Sequence, residues 1–486
     1  MTASSQALAA VLADLEADTE VAVGLAFARL AAGCFANTRE GEGPVSSRLA
    51  PEELARRFDE PIPRSGRPLT YVLNRLDQDV LPDCNRLTHP RAMGHQVSAP
   101  LPVAVWSETL TAALNQSVAV WEMSPVATML ENRVVRWMCD LAGYGPGAGG
   151  TFTSGGTEAT FAGLLAARHA ALPDAWQQGN GANPPVVVCG EHAHYAVARA
   201  VGELGLGTDN TVVIPSRDWR LDTAALAREL DRLRAGGRRV LAVVATAGST
   251  ATGSFDDLET VGRLCEAREL WFHVDGAHGA TALLSSVHRH RVNGIGRARS
   301  IAWDPHKLML MPLAASVVLV RDERDLEAAY SQRAPYLFHA GEAERSWDQG
   351  LRSFACSRRA DALKVWVTLQ RHGADGLGAL HDHLCAGAAA LHRAIAARPD
   401  FTALHEPESN ILCFRYVGDG ALDDARLDAL NLRLREAYNR EGTGWITTTV
   451  LGGRRVLRVA LMNPRTTRRD LLVTLDDLAA IARSLA

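Results

Sequence analysis

Read for the alternation of apolar and polar positions, the chain changes texture twice. Residues 5–35 show helical spacing (Leu8, Val11, Leu12, Leu15, then Val23, Leu25, Phe27, Leu30), and a further helix starts at Pro51, with proline in its first turn. Pro/Gly-rich stretches at 41–51 and 61–68 interrupt these helices, and no strand pattern accompanies them. From about residue 93, short apolar runs alternate with helical patterns. Strands are expected at 186–189, 211–214, 239–246, 270–274, 299–303 and 316–320, with helices at 194–205, 222–236 and 256–269. That alternation predicts right-handed crossovers and a mostly parallel central sheet. After about residue 370, helices at 375–397, 423–440 and 467–484 alternate with strands at 411–416, 445–450 and 456–461. The expected organisation is an α/β protein with a helical N-terminal arm over 1–92, a large domain over 93–370 and a smaller α+β C-terminal domain over 371–486. The arm is too thin to fold alone and is expected to pack on something else, such as a second subunit.

Candidate chemistry sits where the apolar runs break. Trp271-Phe272-His273-Val274 ends on Asp275, and Ser300-Ile301-Ala302-Trp303 runs into Asp304-Pro305-His306-Lys307. Each reads as a buried strand delivering one ionisable residue at its carboxyl end, where open α/β sheets place their sites. A carboxylate held this way can polarise a pyridine nitrogen, and a lysine can form a Schiff base, which is the pair pyridoxal 5'-phosphate (PLP) needs. The alternative is a surface Asp and a surface Lys ending two unrelated strands. Ser154-Gly155-Gly156-Thr157-Glu158 opens a helix whose amides suit a phosphate, or forms an ordinary helix start. His194 can stack on a flat ring or cap its helix, and Gly248-Ser249-Thr250 can bound a pocket or form a plain loop. Five such signals, each at its own strand end and in compatible order, favour the cofactor reading.

Charge and composition narrow the remaining classes. The net charge is −4 with Lys and Arg scattered, so there is no basic footprint for nucleic acid. No uncharged apolar run approaches the roughly 18 residues a membrane helix needs. The eight cysteines lie far apart without metal-ligand spacing and read as reduced thiols, so no metal is expected. The first basic residue is Arg29, after several acids, which argues against a signal peptide and for a cytoplasmic location.

Taken together, Asn115-Gln116-Ser117, Ser154 to Ala159, His194-Tyr195, His273-Val274-Asp275, His288-Arg289-His290, Asn293-Gly294-Ile295, Asp304 to Lys307, Tyr336-Leu337-Phe338 and Arg458-Val459-Ala460 carry a family signature. They closely resemble the group II PLP-dependent amino acid decarboxylases, which include glutamate, cysteine sulfinate, 2,4-diaminobutyrate and aromatic amino acid decarboxylases. The resemblance runs from about His89 to Arg458 and beyond, and covers the first 88 residues more weakly. It implies the type I PLP-dependent transferase fold (aspartate aminotransferase-like) and a homodimer with shared active sites. Residue by residue, it implies Lys307 as the Schiff-base lysine, Asp275 as the pyridinium partner and His194 as the ring-stacking histidine. Gly155, Gly156, Thr157 and His306 fall at cofactor-binding positions, the last three against the phosphate, while Ser249 and Ala277 sit beside the cofactor. Tyr336 matches a tyrosine on a mobile loop contributed by a neighbouring subunit, consistent with a polar lid over 331–350. Arg458 matches the arginine that holds the substrate α-carboxylate.

Two departures bear on the substrate. Asp275-Gly276-Ala277-His278 stands where many relatives have Asp-Ala-Ala and an aromatic, and Gly94-His95-Gln96 stands where glutamate enzymes have Phe-Asn-Gln. The implied reaction converts an L-amino acid to its amine and CO2. An acidic substrate is favoured, its distal acid met by Arg91 or protonated His95, with Gln96 also at the substrate. A 2,4-diaminobutyrate or aromatic substrate is the alternative. Outside this class stand an aldehyde-forming enzyme or C–C lyase, and a non-catalytic PLP-fold binding protein.

Overall fold

The computed structural model describes residues 3–39, 43–330 and 347–485. In chain order its first strands are β1 (Gly149–Thr153), β2 (Val186–Gly190), β3 (Thr211–Ile214), the short β4 (Ser216–Arg217) and β5 (Arg220–Leu221), β6 (Val240–Thr246), β7 (Trp271–Asp275), β8 (Ser300–Trp303) and β9 (Ser316–Val320). All but the β4–β5 pair form one seven-stranded sheet in the order β1-β9-β8-β7-β6-β2-β3. The run β3-β2-β6-β7-β8 is parallel, as the βαβ alternation predicts. Strand β9 runs antiparallel to both β8 and β1. The link from Trp303 to Ser316 carries no crossover helix, which a parallel return would need. Strand β1 escapes the apolar pattern because it begins Gly149-Gly150. A side chain at Gly150 would run into the Val318 carbonyl on β9, so close backbone approach explains the residue.

A sheet covered on both faces buries its strands completely, and Val187, Val244, Val274 and Ile301 are buried. One face packs under the Gly156–Ala171 and Ala196–Glu203 helices. The other packs under the Pro125–Leu141, Thr223–Ala235 and Leu258–Glu266 helices. Two of these start where their sequence says they should. Asp222 accepts the Ala224 and Ala225 amides at 2.9 and 3.0 Å, and Asp257 accepts the Thr260 amide at 3.0 Å.

The C-terminal strands β10 (Phe401–Ala403), β11 (Ile411–Tyr416), β12 (Thr447–Leu451) and β13 (Arg454–Ala460) form an antiparallel sheet in the order β10-β11-β13-β12. Leu412, Phe414, Leu434, Leu457 and Leu475 join it to the Asp424–Glu441 and Arg468–Leu485 helices. The Ala362–Ala396 helix leads into this unit and breaks at Gly373, where φ is 70° and ψ 168°. The chain from Val45 to Ala99 lies along the same unit as a strap. Val45 donates to the Gly442 carbonyl (2.8 Å), Met93 donates to Trp445 (2.8 Å) and accepts from Ala460 (2.9 Å), and Ala99 donates to Met462 (3.1 Å). Met93 is itself part of the C-terminal core.

Before the strap, the Ala3–Ala17 and Val21–Arg39 helices leave Leu8, Leu12, Leu15, Leu25 and Phe27 exposed. Among the described residues no single helix is long and apolar enough to cross a membrane. The pair Ser5–Ala17 and Val21–Ala36, bent by 73°, reaches that length and apolarity only together. No disulfide joins any of the eight cysteines, and no cluster fit to hold a metal occurs among the described residues.

Candidate active site

Strands β7 and β8 are parallel neighbours, with Asp275 opposite Ala302, so their carboxyl ends open onto the same place. A cavity of about 250 Å³ lies there, and Asp275, Ala277, His278, Asp304, His306 and Lys307 form its floor. Asp275 is 7% exposed and accepts the Ala277 amide at 3.2 Å. Burial pushes its carboxyl above the usual range, and the Lys307 and His194 side chains pull it back. Lys307 Nζ lies 2.9 Å from Asp304 Oδ2, while the buried Asp304 Oδ1 has no hydrogen-bond partner. The sequence contains only one other lysine, Lys364. It is fully buried and paired with Glu108 and Asp361, each at 3.1 Å. Lys307 is therefore the one lysine that can meet a ligand.

The start of the Gly156–Ala171 helix forms the opposite wall, through Ser154, Gly155, Gly156 and Thr157. No side chain caps this helix; Glu158 instead accepts from the Ser154 amide (2.9 Å) and hydroxyl (2.6 Å). Gly156 approaches the floor so closely that a Cβ there would stand 2.8 Å from Asp304 Oδ2 and 3.0 Å from Ala277 Cβ. The missing side chain leaves a cradle at the positive end of a helix, which suits a phosphate. His306 is turned inward by the Ala315 amide, which donates to its Nδ1 at 3.2 Å. His194 covers the cavity from the side, and burial holds its imidazole below the usual range. Its Nδ1 accepts the Ala196 amide, at the first turn of the following helix, at 3.3 Å.

His194 and Thr250 are shared with a second cavity of about 410 Å³, whose walls include His95, Glu191, Thr447 to Thr449 and Arg458. Arg458, on β13, is 4% exposed. Its Nε donates to the Ala251 carbonyl (3.1 Å) and its Nη1 to the Gly94 carbonyl (3.4 Å), while Nη2 is buried without a partner. Gly94 is explained by Trp445, whose ring would lie 2.7 Å from a Cβ at that position. The His95 ring rests on the same indole at 5.2 Å.

Most of the expected site residues are thus brought together: Lys307, Asp275, His194, Gly155, Gly156, Thr157, Ala277 and His306 at the first cavity, His95 and Arg458 at the second. Ser249 is not on either wall. It is buried below, with its hydroxyl 2.9 Å from that of Thr252, and its neighbour Thr250 faces the cavities instead. Gln96 lines neither cavity, and its Nε2 is buried without a partner. Arg91 pairs with Asp477 at 3.2 Å and is on neither wall. Tyr336 and the stretch 331–346 lie outside the described residues.

Thr246 and Leu313 also line the first cavity and were not named from sequence. Thr250, His278 and Asp304 stand inside stretches already quoted but were given no role of their own. His278, 2% exposed, donates through Nε2 to Asn410 Oδ1 at 2.7 Å, and burial pushes its imidazole down to about 3.

An accessible lysine and a buried carboxylate at adjacent strand ends, under a helix start that suits a phosphate, match what a PLP enzyme on an α/β scaffold needs. The residues present fit that cofactor. The pyridoxal-dependent decarboxylase conserved domain matches residues 51–417, and the chain belongs to this family. It is 35% identical over 430 residues to an L-2,4-diaminobutyrate decarboxylase of Rhizobium meliloti, covering 88% of this chain and 84% of that protein. It is 30% identical over 447 residues to an acidic amino acid decarboxylase of Homo sapiens, covering 90% and 85% respectively. The fold superimposes on the crystal structure of mouse CSAD with a TM-score of 0.88 at 29% identity, covering 96% of this chain and 99% of that one.

Proposed function

We propose that the protein releases CO2 from an L-amino acid whose α-carboxylate is held by Arg458. The observation that carries this is the guanidinium itself: buried, fixed through Nε and Nη1, and left with a spare Nη2 donor beside the Lys307 cavity. A buried cation with an unused donor suits a carboxylate, which can take a charge-assisted bond and complete the desolvated charge. When bound, PLP supplies a protonated ring that accepts the electron pair left at Cα as CO2 departs. Asp275 keeps the proton on the ring nitrogen. Lys307 would anchor the cofactor through its amine, and His194 and Ala277, on the walls of the same cavity, would bound its ring. The Gly155-Gly156-Thr157 turn and His306 receive the phosphate, and Ser249 supports the loop that presents Thr250. From the family resemblance, Tyr336 is the proposed proton donor to Cα.

For the side chain we favour an ammonium-ended substrate such as 2,4-diaminobutyrate. Glu191 lies on the second cavity's wall, and bonds from the Ser216 hydroxyl (2.8 Å) and amide (3.1 Å) hold its carboxyl below the usual range, hence ionised. The groups that favoured an acidic substrate are less suited to it. Arg91 is engaged by Asp477, and burial and Arg458 hold His95 below its usual range, hence neutral. The acidic reading is supported instead by the likeness to an acidic amino acid decarboxylase. CO2 release across a panel of amino acids tests both. The expected order places 2,4-diaminobutyrate above glutamate, aspartate and cysteine sulfinate; the reverse order restores the acidic substrate, and no release from any of them overturns the decarboxylase reading.

The exposed apolar faces of the first two helices and of the Pro102–Leu114 helix (Trp106, Leu110, Leu114) support a homodimer with shared sites; the cytoplasmic location is proposed from the sequence reading alone. Within each subunit we retain the arm, large-domain and small-domain division at 92/93 and 370/371, with the strap as the arm's continuation onto the small domain.

A further inference from the structure

The two functional anchors belong to different sheets. Asp275 ends β7 of the large sheet, and Arg458 lies on β13 of the small one. Their separation depends on what fastens one sheet to the other near the cavity. Three residues beyond Asp275, His278 reaches across and donates through Nε2 to Asn410 Oδ1 at 2.7 Å. Asn410 immediately precedes β11, which pairs with β13 in a register that sets Cys413 opposite Arg458. Asn410 is itself held twice by Leu461, three residues beyond Arg458. Its Nδ2 donates to the Leu461 carbonyl at 2.9 Å, and its own carbonyl accepts the Leu461 amide at 2.9 Å. Because Nδ2 is spent on Leu461, Oδ1 must be the acceptor, and this fixes the donor on His278 as Nε2–H. Both side chains are buried, so water cannot replace the bond if it is lost.

We propose that the His278–Asn410 hydrogen bond sets the position of Arg458 relative to Asp275, making His278 a positioning residue for recognition of the substrate carboxylate. This rests on the reading of Arg458 as the carboxylate anchor. His278 need not touch the substrate. It acts by holding the small sheet where the spare Nη2 donor of Arg458 meets a carboxylate presented from the cofactor side, and misplacement by about 1 Å is enough to cost on the order of a hundredfold in rate.

The test uses the holoenzyme and two probes: the D-enantiomer of the best amino acid from the panel, which keeps the carboxylate, and the product amine, which lacks it. The measured quantity is the ratio of their inhibition constants, which cancels general damage to the pocket. His278→Phe keeps an aromatic ring but removes the donor, and is expected to raise the ratio about tenfold or more. His278→Gln retains an N–H near the Nε2 position and is expected to return the ratio to within about threefold of wild type. Asn410→Ser breaks the same bond from the other side and decides the matter if His278→Phe does not accumulate as folded protein. Arg458→Met is the reference. If it raises the ratio while both His278→Phe and Asn410→Ser leave it unchanged, the positioning role is overturned and the anchor stands. If Arg458→Met leaves the ratio unchanged, the anchor reading falls and the proposal with it. Failure of His278→Gln to rescue would also overturn the donor role.

Discussion

Asp275→Asn is the sharpest perturbation of the site, because it removes a charge while leaving the shape. Asp275 is 7% exposed, so little water screens its carboxylate, and among the described residues its one hydrogen bond is to the Ala277 amide at 3.2 Å. An Asn side chain can keep that bond through Oδ1, so the strand end should hold its conformation. Burial of a neutral amide is also easier than burial of a carboxylate already pushed above its usual range. The melting temperature should therefore stay the same or rise. What is lost is the charge opposite the protonated ring nitrogen. Removing one partner of a buried pair costs about 3–5 kcal/mol, and each 1.36 kcal/mol is tenfold in rate, so kcat should fall by roughly 10²–10⁴. CO2 release at saturating substrate, with cofactor occupancy checked by absorbance and folding by thermal melt, gives all three quantities. A variant with full cofactor occupancy and kcat within tenfold of wild type would refute the assignment, and some other group would have to keep the ring protonated.

Lys307→Ala should bind PLP only reversibly, and borohydride treatment of the wild-type holoenzyme should fix the cofactor to the peptide containing Lys307; with only two lysines in the chain, label on Lys364 would sink the assignment. Arg358→Ala should destabilise the fold by about 3–5 kcal/mol in chemical denaturation, because buried Glu131 loses two bonds of 2.7 and 2.8 Å. The double variant Glu131→Met with Arg358→Met should recover most of that loss, and a single-variant cost under about 1 kcal/mol would show the pair to be dispensable. His273, fully buried on β7, is pushed down to about 3, whereas an unfolded histidine titrates near 6.5. Between those values only the unfolded chain takes up the proton, so stability rises with pH across that window. His273→Gln should reduce the slope by about 1.4 kcal/mol per pH unit between pH 6 and 4; an unchanged slope would mean the histidine is not neutral in the native state.

The parallel half of the sheet was legible because parallel strands are apolar on both faces: Val186 to Cys189 and Trp271 to Val274 mark themselves in composition. Asp275 and Lys307 were legible for the same reason, each being the ionisable residue that interrupts such a run. Strand β1 was not, because its glycines serve a contact with β9 that no local pattern reveals. The direction of β9 depends on a missing crossover rather than on its own residues. Arg458 could be assigned only by resemblance, since nothing near it in sequence distinguishes it from Arg454 or Arg455; its standing comes from being buried with a spare donor. Arg91 and Ser249 lie off both cavity walls because of side-chain direction, which a one-dimensional pattern does not carry. The count of lysines was a signal available from the start, and it would have singled out Lys307 once Lys364 was placed in the helix that buries it.

The strap has a consequence for how the protein is made. Ser46 bonds to the carbonyl of a residue 393 positions later, Asn439. At synthesis rates of about 5–20 residues per second, that partner emerges roughly 20–80 seconds after the strap does. Until that interval ends Met93 has no complete C-terminal core to join, although the phosphate cradle, Asp275 and Lys307 are translated within it. A nascent chain halted before β11 would therefore carry the residues proposed to hold the cofactor without the arginine proposed to recognise the substrate.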